Sequence, residues 1–229
     1  TNHNIVSDYC KEVYLEYGHM PFVSISESYR TLNYPDKLNY VATVYNGIDI
    51  DRYKRDKEGK REYLLFIGRI SKAKGTADAI DIARKLKMPI KVAGKVDSAD
   101  QEYFDKEVAP RIDAEYVDFI GEINEEQKVA LYQGAIATVY PIDFEEPFGL
   151  VMAESMASGT PLMAFSRGSV RELIVDGHTG IIGDTVDDLV NRFGEIRKMK
   201  AETCERRARE MFGKESMAAA YEKVYLDKL

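Results

Sequence analysis

The chain has 229 residues, with 32 Lys+Arg against 39 Asp+Glu, giving a formal net charge of −7 and a sequence pI near 5.2. Such an acidic surface does not suit nucleic acid or anionic lipid as the main partner, since both are held by clustered positive charge, but it leaves room for a local basic pocket. With 45% hydrophobic residues, no apolar run near the roughly 18 residues that cross a bilayer, no signal-peptide pattern and only two distant cysteines (Cys10 and Cys204), the composition argues against disordered, transmembrane, disulfide-framework and zinc-cluster classes.

Free thiols in a reducing cytoplasm are the expectation, and a chain that opens on Thr1 is expected to be a piece of a longer protein. Residues 1–45 hold a helix, a strand around Phe22 to Ile25, a helix start at Ser26-Glu27-Ser28-Tyr29 and a strand around Tyr40 to Val44. These are too few to close a core of their own, so they are predicted to be the end of a preceding domain, with Asn46-Gly47 as hinge and residues 46–229 as the main domain.

From residue 61 onward, short β-rich runs alternate with amphipathic helical windows, which predicts βαβ units and an α/β, Rossmann-like parallel sheet flanked by helices. The predicted strands are 63–67, 90–94, 116–120, 136–140, 162–165 and 181–182. Helices are predicted at 75–87, 99–109 and 124–133. A short one follows in the loop-rich stretch after 165, then one capped by Thr185, and two closing helices at 201–211 and 214–227 separated by Gly213.

Neither Gly-x-Gly-x-x-Gly nor Gly-x-x-x-x-Gly-Lys-Ser/Thr occurs, which argues against a dehydrogenase or P-loop enzyme. After the first strand of the main domain stands Gly68-Arg69-Ile70-Ser71-Lys72-Ala73-Lys74-Gly75, placing cations at the carboxyl edge of the sheet, where open α/β folds bind ligands. Taken alone it also fits a solvated loop. The decisive segment is Asp143 to Pro161, containing Glu146-Pro147-Phe148-Gly149-Leu150-Val151-Met152-Ala153-Glu154 and then Ser158-Gly159-Thr160-Pro161. A helix beginning near Phe148 leaves Glu146 in the loop and Glu154 on the second turn. Gly149, lacking a Cβ, lets a ligand approach first-turn N–H groups that favour an anion. A sugar diphosphate suits two carboxylates flanking such a site.

Glu146-x7-Glu154 in this setting resembles the donor-binding signature of family 4 retaining glycosyltransferases of the GT-B fold. Asn46-Gly47-Ile48-Asp49 resembles the family's hinge, Gly68-Arg69 with Lys74-Gly75 its diphosphate loop, and Phe119-Ile120-Gly121-Glu122-Ile123 the segment facing the nucleobase. Glu172 to Gly177 with Thr179-Gly180 resembles a downstream turn. The match spans residues 40–227, and residues 1–40 resemble the end of the acceptor-binding domain, a remnant of a second Rossmann-like unit.

The resemblance implies transfer of a hexose from a nucleotide-diphosphate sugar, a UDP-sugar by family frequency, with retention of anomeric configuration. Glu146, Arg69 and Lys74 would be catalytic: Glu146 on hydroxyls of the transferred sugar, the two cations on the diphosphate. Glu154 would hold the ribose, while Gly68, Gly121, Ile123, Phe148, Gly149 and Leu150 complete the donor site. No metal or cofactor is implied, the nucleotide sugar being a substrate; the missing N-terminal domain is a partner, and the fragment alone is expected to be inactive. His178 is expected to be a surface turn residue, and the last helix to cross back toward the N-terminal domain with Met217, Tyr221, Val224 and Tyr225 on one face. The full-length protein is expected in the cytoplasm, with peripheral membrane contact compatible. Competing readings are a catalytically silent nucleotide- or protein-binding module and a UDP-sugar epimerase, the second needing ionisable groups on both faces of the sugar.

Overall fold

The computed structural model describes residues 7–113 and 115–227; residues 1–6 of the expected 1–45 unit and 228–229 of the 46–229 unit lie outside these. Two strands, β1 (Pro21–Ser24) and β2 (Asn39–Thr43), pair in parallel as a small separate sheet. The other six are β3 (Tyr63–Ile67), β4 (Ile90–Ala93), β5 (Val117–Gly121), β6 (Ala135–Tyr140), β7 (Leu162–Phe165) and β8 (Gly180–Gly183). They form one parallel sheet in the order β5-β4-β3-β6-β7-β8. This is the doubly wound order in which the chain starts at the centre, works to one edge, and returns to build the other half.

Near-continuous apolar runs make these strands, as expected where both faces are covered. Leu64 and Phe66 of β3 point into the core layer shared with α3 (Thr76–Leu86) and α8 (Val186–Ile196). Leu65 and Ile67 point into the opposite layer, with α5 (Glu125–Gly134), α6 (Leu150–Ala157) and α9 (Ala201–Phe212). The period of two thus splits one strand between two cores. Capping boxes at Asn124/Gln127 and Thr185/Asp188 start α5 and α8 where the sequence predicts.

Two expectations are corrected. The helix expected over 99–109 is broken: α4 is only Gln101–Tyr103, followed by a π turn over Phe104–Val108 and a 3-10 turn over Ala109–Arg111. Pro110 lacks an N–H and its ring would crowd the Lys106 carbonyl four residues back, so a regular ladder cannot run through. The helix expected from Phe148 starts at Leu150, because Gly149 takes a left-handed conformation at its N-cap. Gly213 separates the two closing helices as expected, and its backbone there is extended, φ −73°.

The extended backbone at Gly213 serves the hinge. Ile48 donates its N–H to the Phe212 carbonyl (2.8 Å) and accepts from the Lys214 N–H (3.0 Å). A Cβ on Gly47 would lie 2.8 Å from the Lys214 Cα, so glycine is required there by close approach. The last helix, α10 (Lys214–Leu226), leaves from this bridge, and its Ala220, Lys223 and Val224 share a cleft with Val41 to Val44. It therefore does cross back toward the N-terminal segment, with Tyr225 and Leu226 exposed.

That segment also includes α1 (Lys11–Glu16) and α2 (Glu27–Leu32). Ser26 caps α2, accepting from the Tyr29 N–H, while its own hydroxyl donates to the Pro147 carbonyl (2.6 Å). The Glu172 carboxylate, on the short helix α7 (Val170–Leu173), accepts the N–H groups of Glu27 and Ser28, a favourable anion at a helix N-terminus.

Phe212 is fully buried, its ring edge-on to both Tyr45 (5.8 Å) and Phe148 (5.7 Å). Phe212→Ala is expected to cost about 3–5 kcal/mol of stability, read from urea denaturation; a loss below about 1 kcal/mol would show that the hinge does not depend on this cluster.

Candidate functional site

Parallel strands all end on the same edge, and the topology reverses between β3 and β6, so the loops leaving these neighbours diverge and open a crevice. The loop after β3 carries Lys74 and the loop after β6 carries Glu146. They are stitched together by the Asp143 N–H donating to the Ala73 carbonyl (2.8 Å).

The crevice holds a cavity of about 240 Å³ lined by Lys74, Tyr140, Glu146 and the run Pro147 to Val151, with Ile25 and Asn46 contributed from the N-terminal side. Lys74 Nζ lies 2.8 Å from Glu146 Oε2, and the same oxygen accepts from the Tyr140 hydroxyl at 2.7 Å. Lys74 also sits over the Phe144 ring, 4.5 Å from its centroid. Both donors converge on Oε2, so Oε1 remains for another partner. Burial first, and the Glu146 charge second, push the Tyr140 hydroxyl well above the ordinary tyrosine range, keeping it a neutral donor. Gly149, at φ +78°, is where a side chain would be strained: a Cβ would stand 2.8 Å from Met152 Cε, 2.9 Å from the Tyr140 hydroxyl and 3.2 Å from Glu146 Cγ.

Glu154 lies elsewhere, on the second turn of α6, and is 7% exposed. Its Oε1 accepts from Lys128 Nζ (2.9 Å) and the Tyr53 hydroxyl (3.0 Å), and its Oε2 from the Tyr132 hydroxyl (3.0 Å). Lys128 also reaches Glu125 Oε1 at 2.9 Å. Burial opposes the Lys128 charge, but hydrogen bonds to Glu154 and Glu125 outweigh it and hold the ammonium above the ordinary lysine range. Burial, then the Glu154 charge, drives Tyr132 well above the usual tyrosine range. The network balances a buried carboxylate with a cation and two hydroxyls, the condition under which such a charge is tolerated.

Of the residues expected to act together, Lys74, Glu146, Phe148, Gly149 and Leu150 share one cavity. Arg69 does not line it: its half-exposed guanidinium turns to Asp97 (3.8 Å) and Asp100 (3.6 Å) in the loop after β4. Gly68 follows β3 directly and donates to the Ala93 carbonyl; Gly121 ends β5, its carbonyl accepting from Gly94, and Ile123 packs on the core. His178 is exposed in its turn, as expected.

Sequence reasoning missed Tyr53, Lys128, Tyr132 and Tyr140. Lys128 and Tyr132 stand four apart on α5 and so share a face, a signal that was available. It also passed over Asp49-Ile50-Asp51 at the hinge, an Asp-x-Asp whose carboxylates face cations instead of converging: Asp49 pairs with Lys214 at 3.1 Å, Asp51 with Lys54 and Arg209 at 3.7 Å each.

The family model described as glycosyl transferases group 1 matches residues 47–214. A glycogen synthase of Thermus thermophilus is 31% identical over 208 residues, covering 85% of this chain and 47% of the relative. A D-inositol 3-phosphate glycosyltransferase of Streptomyces scabiei is 30% identical over 231 residues, covering 83% and 49%. The chain thus spans about half the length of these curated relatives, and 36% of a Mycobacterium tuberculosis glycogen synthase that is 31% identical over 153 residues. Among solved structures, Anabaena Alr3699/HepE in complex with UDP and glucose superposes with a TM-score of 0.84 at 19% identity, covering 100% of this chain and 70% of that one. A sucrose-phosphate synthase of Thermosynechococcus elongatus gives 0.82 at 19%, covering 96% and 62%. At these identities the structural likeness speaks to the fold, which agrees with the expected α/β class.

Lys128→Met would strand the Glu154 carboxylate beside two hydroxyls without a counter-charge. The expected loss is about 3–5 kcal/mol in chemical denaturation at pH 7; a neutral result would show that the carboxylate is not held by that pair.

Proposed function

Because this chain belongs to the group 1 glycosyl transferases, we propose that it supplies the donor half of an enzyme transferring a hexose from a nucleotide-diphosphate sugar. The observation that carries this is the Lys74–Glu146 pair, 2.8 Å apart, at the open edge of the sheet beside the N-terminus of α6. A lysine ammonium has three donors; with one spent on Glu146, the others are available to the diphosphate. First-turn N–H groups of α6 add to the same field.

Glu146, held on one oxygen by Lys74 and Tyr140, offers the other to sugar hydroxyls. One cation thus ties the sugar-holding carboxylate to the phosphate that departs. Charge built on the leaving diphosphate is met by a preorganised ammonium, the work that a divalent metal does in other transferases, so no metal or cofactor enters this proposal. Arg69 joins by exchanging its exposed contacts with Asp97 and Asp100, pairs of a kind worth about 0–1 kcal/mol, for a phosphate oxygen.

Glu154 serves the ribose with the one acceptor position its three donors leave open, on Oε2, Lys128 and Tyr53 fixing its orientation. UDP is proposed as the nucleotide and retention as the stereochemical course, through attack from the face of the departing phosphate. The acceptor comes from the N-terminal side, where Ile25 and Asn46 already border the cavity, and the remaining wall is assigned to the part of the relatives' length that this chain does not span. The proposed setting is the cytoplasm.

Calorimetry with UDP-glucose tests the reading. Lys74→Ala, with unchanged circular dichroism, is expected to weaken binding at least tenfold; equal affinity in the two proteins would sink it. A silent binding module is distinguished by assaying the gene product that contains this chain for sugar transfer or donor hydrolysis, since a module binds without turnover.

A further inference from the structure

A cavity of about 460 Å³ opens between the segment after the hinge and the outer face of α9, sharing no residue with the donor cavity. Five cations line it, Lys54, Arg55 and Lys57 from the segment and Arg206 and Arg209 from α9, against two carboxylates, Glu202 and Glu205. Its floor is apolar, Ile50 and Ala157 being almost fully buried.

The charges divide unevenly. Arg55, 16% exposed, is pinned by Glu202 (2.7 Å) and Glu205 (3.1 Å), and Arg209 and Lys54 share Asp51 at 3.7 Å. Lys57 and Arg206, both exposed, form no ion pair among the described residues. A protein whose net charge is −7 therefore turns positive at one concave spot. Concavity over a low-dielectric floor focuses that field. Spacing on α9 accounts for the arrangement, since Glu202, Glu205, Arg206 and Arg209 recur on one helical face. The acidic members hold the inner arginine in place and the outer cations are left over.

We propose that this cavity is a second anion site that takes a phosphate-bearing ligand, with Lys57 and Arg206 gripping the phosphate and Ile50 and Ala157 contacting its carbon skeleton. Arginine suits the bidentate part of that grip and lysine the point charge. A volume of this size exceeds what inorganic phosphate needs and falls in the range of small-molecule sites, roughly 300–1,000 Å³. The ligand is either a free phosphate ester or the headgroup of an anionic lipid; the chemistry recognised is the same. The proposal does not rest on the donor reading.

The test uses the whole chain carrying Lys74→Ala, so that the donor cavity does not compete for the probe. Inorganic pyrophosphate is titrated by calorimetry, and vesicles of phosphatidylglycerol are compared with phosphatidylcholine by flotation, each with and without Lys57→Glu plus Arg206→Glu. Expected is binding of pyrophosphate, or of the anionic vesicles alone, that the double reversal weakens at least tenfold. Loss in the pyrophosphate arm points to a soluble ligand, and loss confined to vesicles points to a headgroup. Both side chains are exposed, and Lys57→Ala plus Arg206→Ala, with melting unchanged, replaces the reversal should it fold poorly. No binding of either probe, or binding that ignores both double variants, overturns the proposal.

Discussion

The reversal of strand order between β3 and β6 is the constraint from which the rest follows. Two hydrogen-bonded parallel neighbours at the centre of the sheet send their loops to opposite faces, so backbone must part at that point. The gap is narrowed by one bond, Asp143 to Ala73, and is then furnished by what each loop carries: an ammonium from one side, a carboxylate from the other. The flanking cores, one on each face, hold the strands rigid enough for those two loops to meet within 2.8 Å.

Two glutamates eight residues apart end in opposite electrostatic settings. Glu146 is in a loop and, among the described residues, keeps one oxygen unclaimed beside open space, whereas Glu154 is sunk in the helix–helix layer and surrounded by three donors from two segments. The first can answer a ligand at little cost. The second cannot move without depriving Tyr132 of its acceptor and leaving Lys128 and Tyr53 with Glu125 alone, so it is a fixed point of the helix layer. Division of labour between the pair comes from burial, since the side chains are chemically identical.

The strands, the order of elements and the Glu146–Glu154 spacing were legible because each is a local property: a continuous apolar run at 63–67, a glycine at a helix entry, a fixed interval along one segment. What escaped was non-local. Lys128 is 26 residues from Glu154 and Tyr53 is 101, so no window along the chain contains the network. Arg69 stands next to Gly68 in the sequence, but which way its side chain leans is decided by Asp97 and Asp100 in another loop. The broken helix at 98–111 is an intermediate case. Pro110 announced an end, but not that the ladder would widen before it.

The backbone bridge between Ile48 and Gly213 makes the chain cross the same place twice. One passage is covalent, through Tyr45 to Gly47, and the other is the start of α10, which then runs beside β2. A body hung from a single strand can swing in any direction; one hung from two adjacent straps can only fold about the line that joins them. The N-terminal piece, with Ile25 bordering the cavity beside Glu146, is restrained further by the bonds from Ser26 to Pro147 and from Glu27 and Ser28 to Glu172. Any swing about that line has to break these side-chain bonds before it bends the paired backbone.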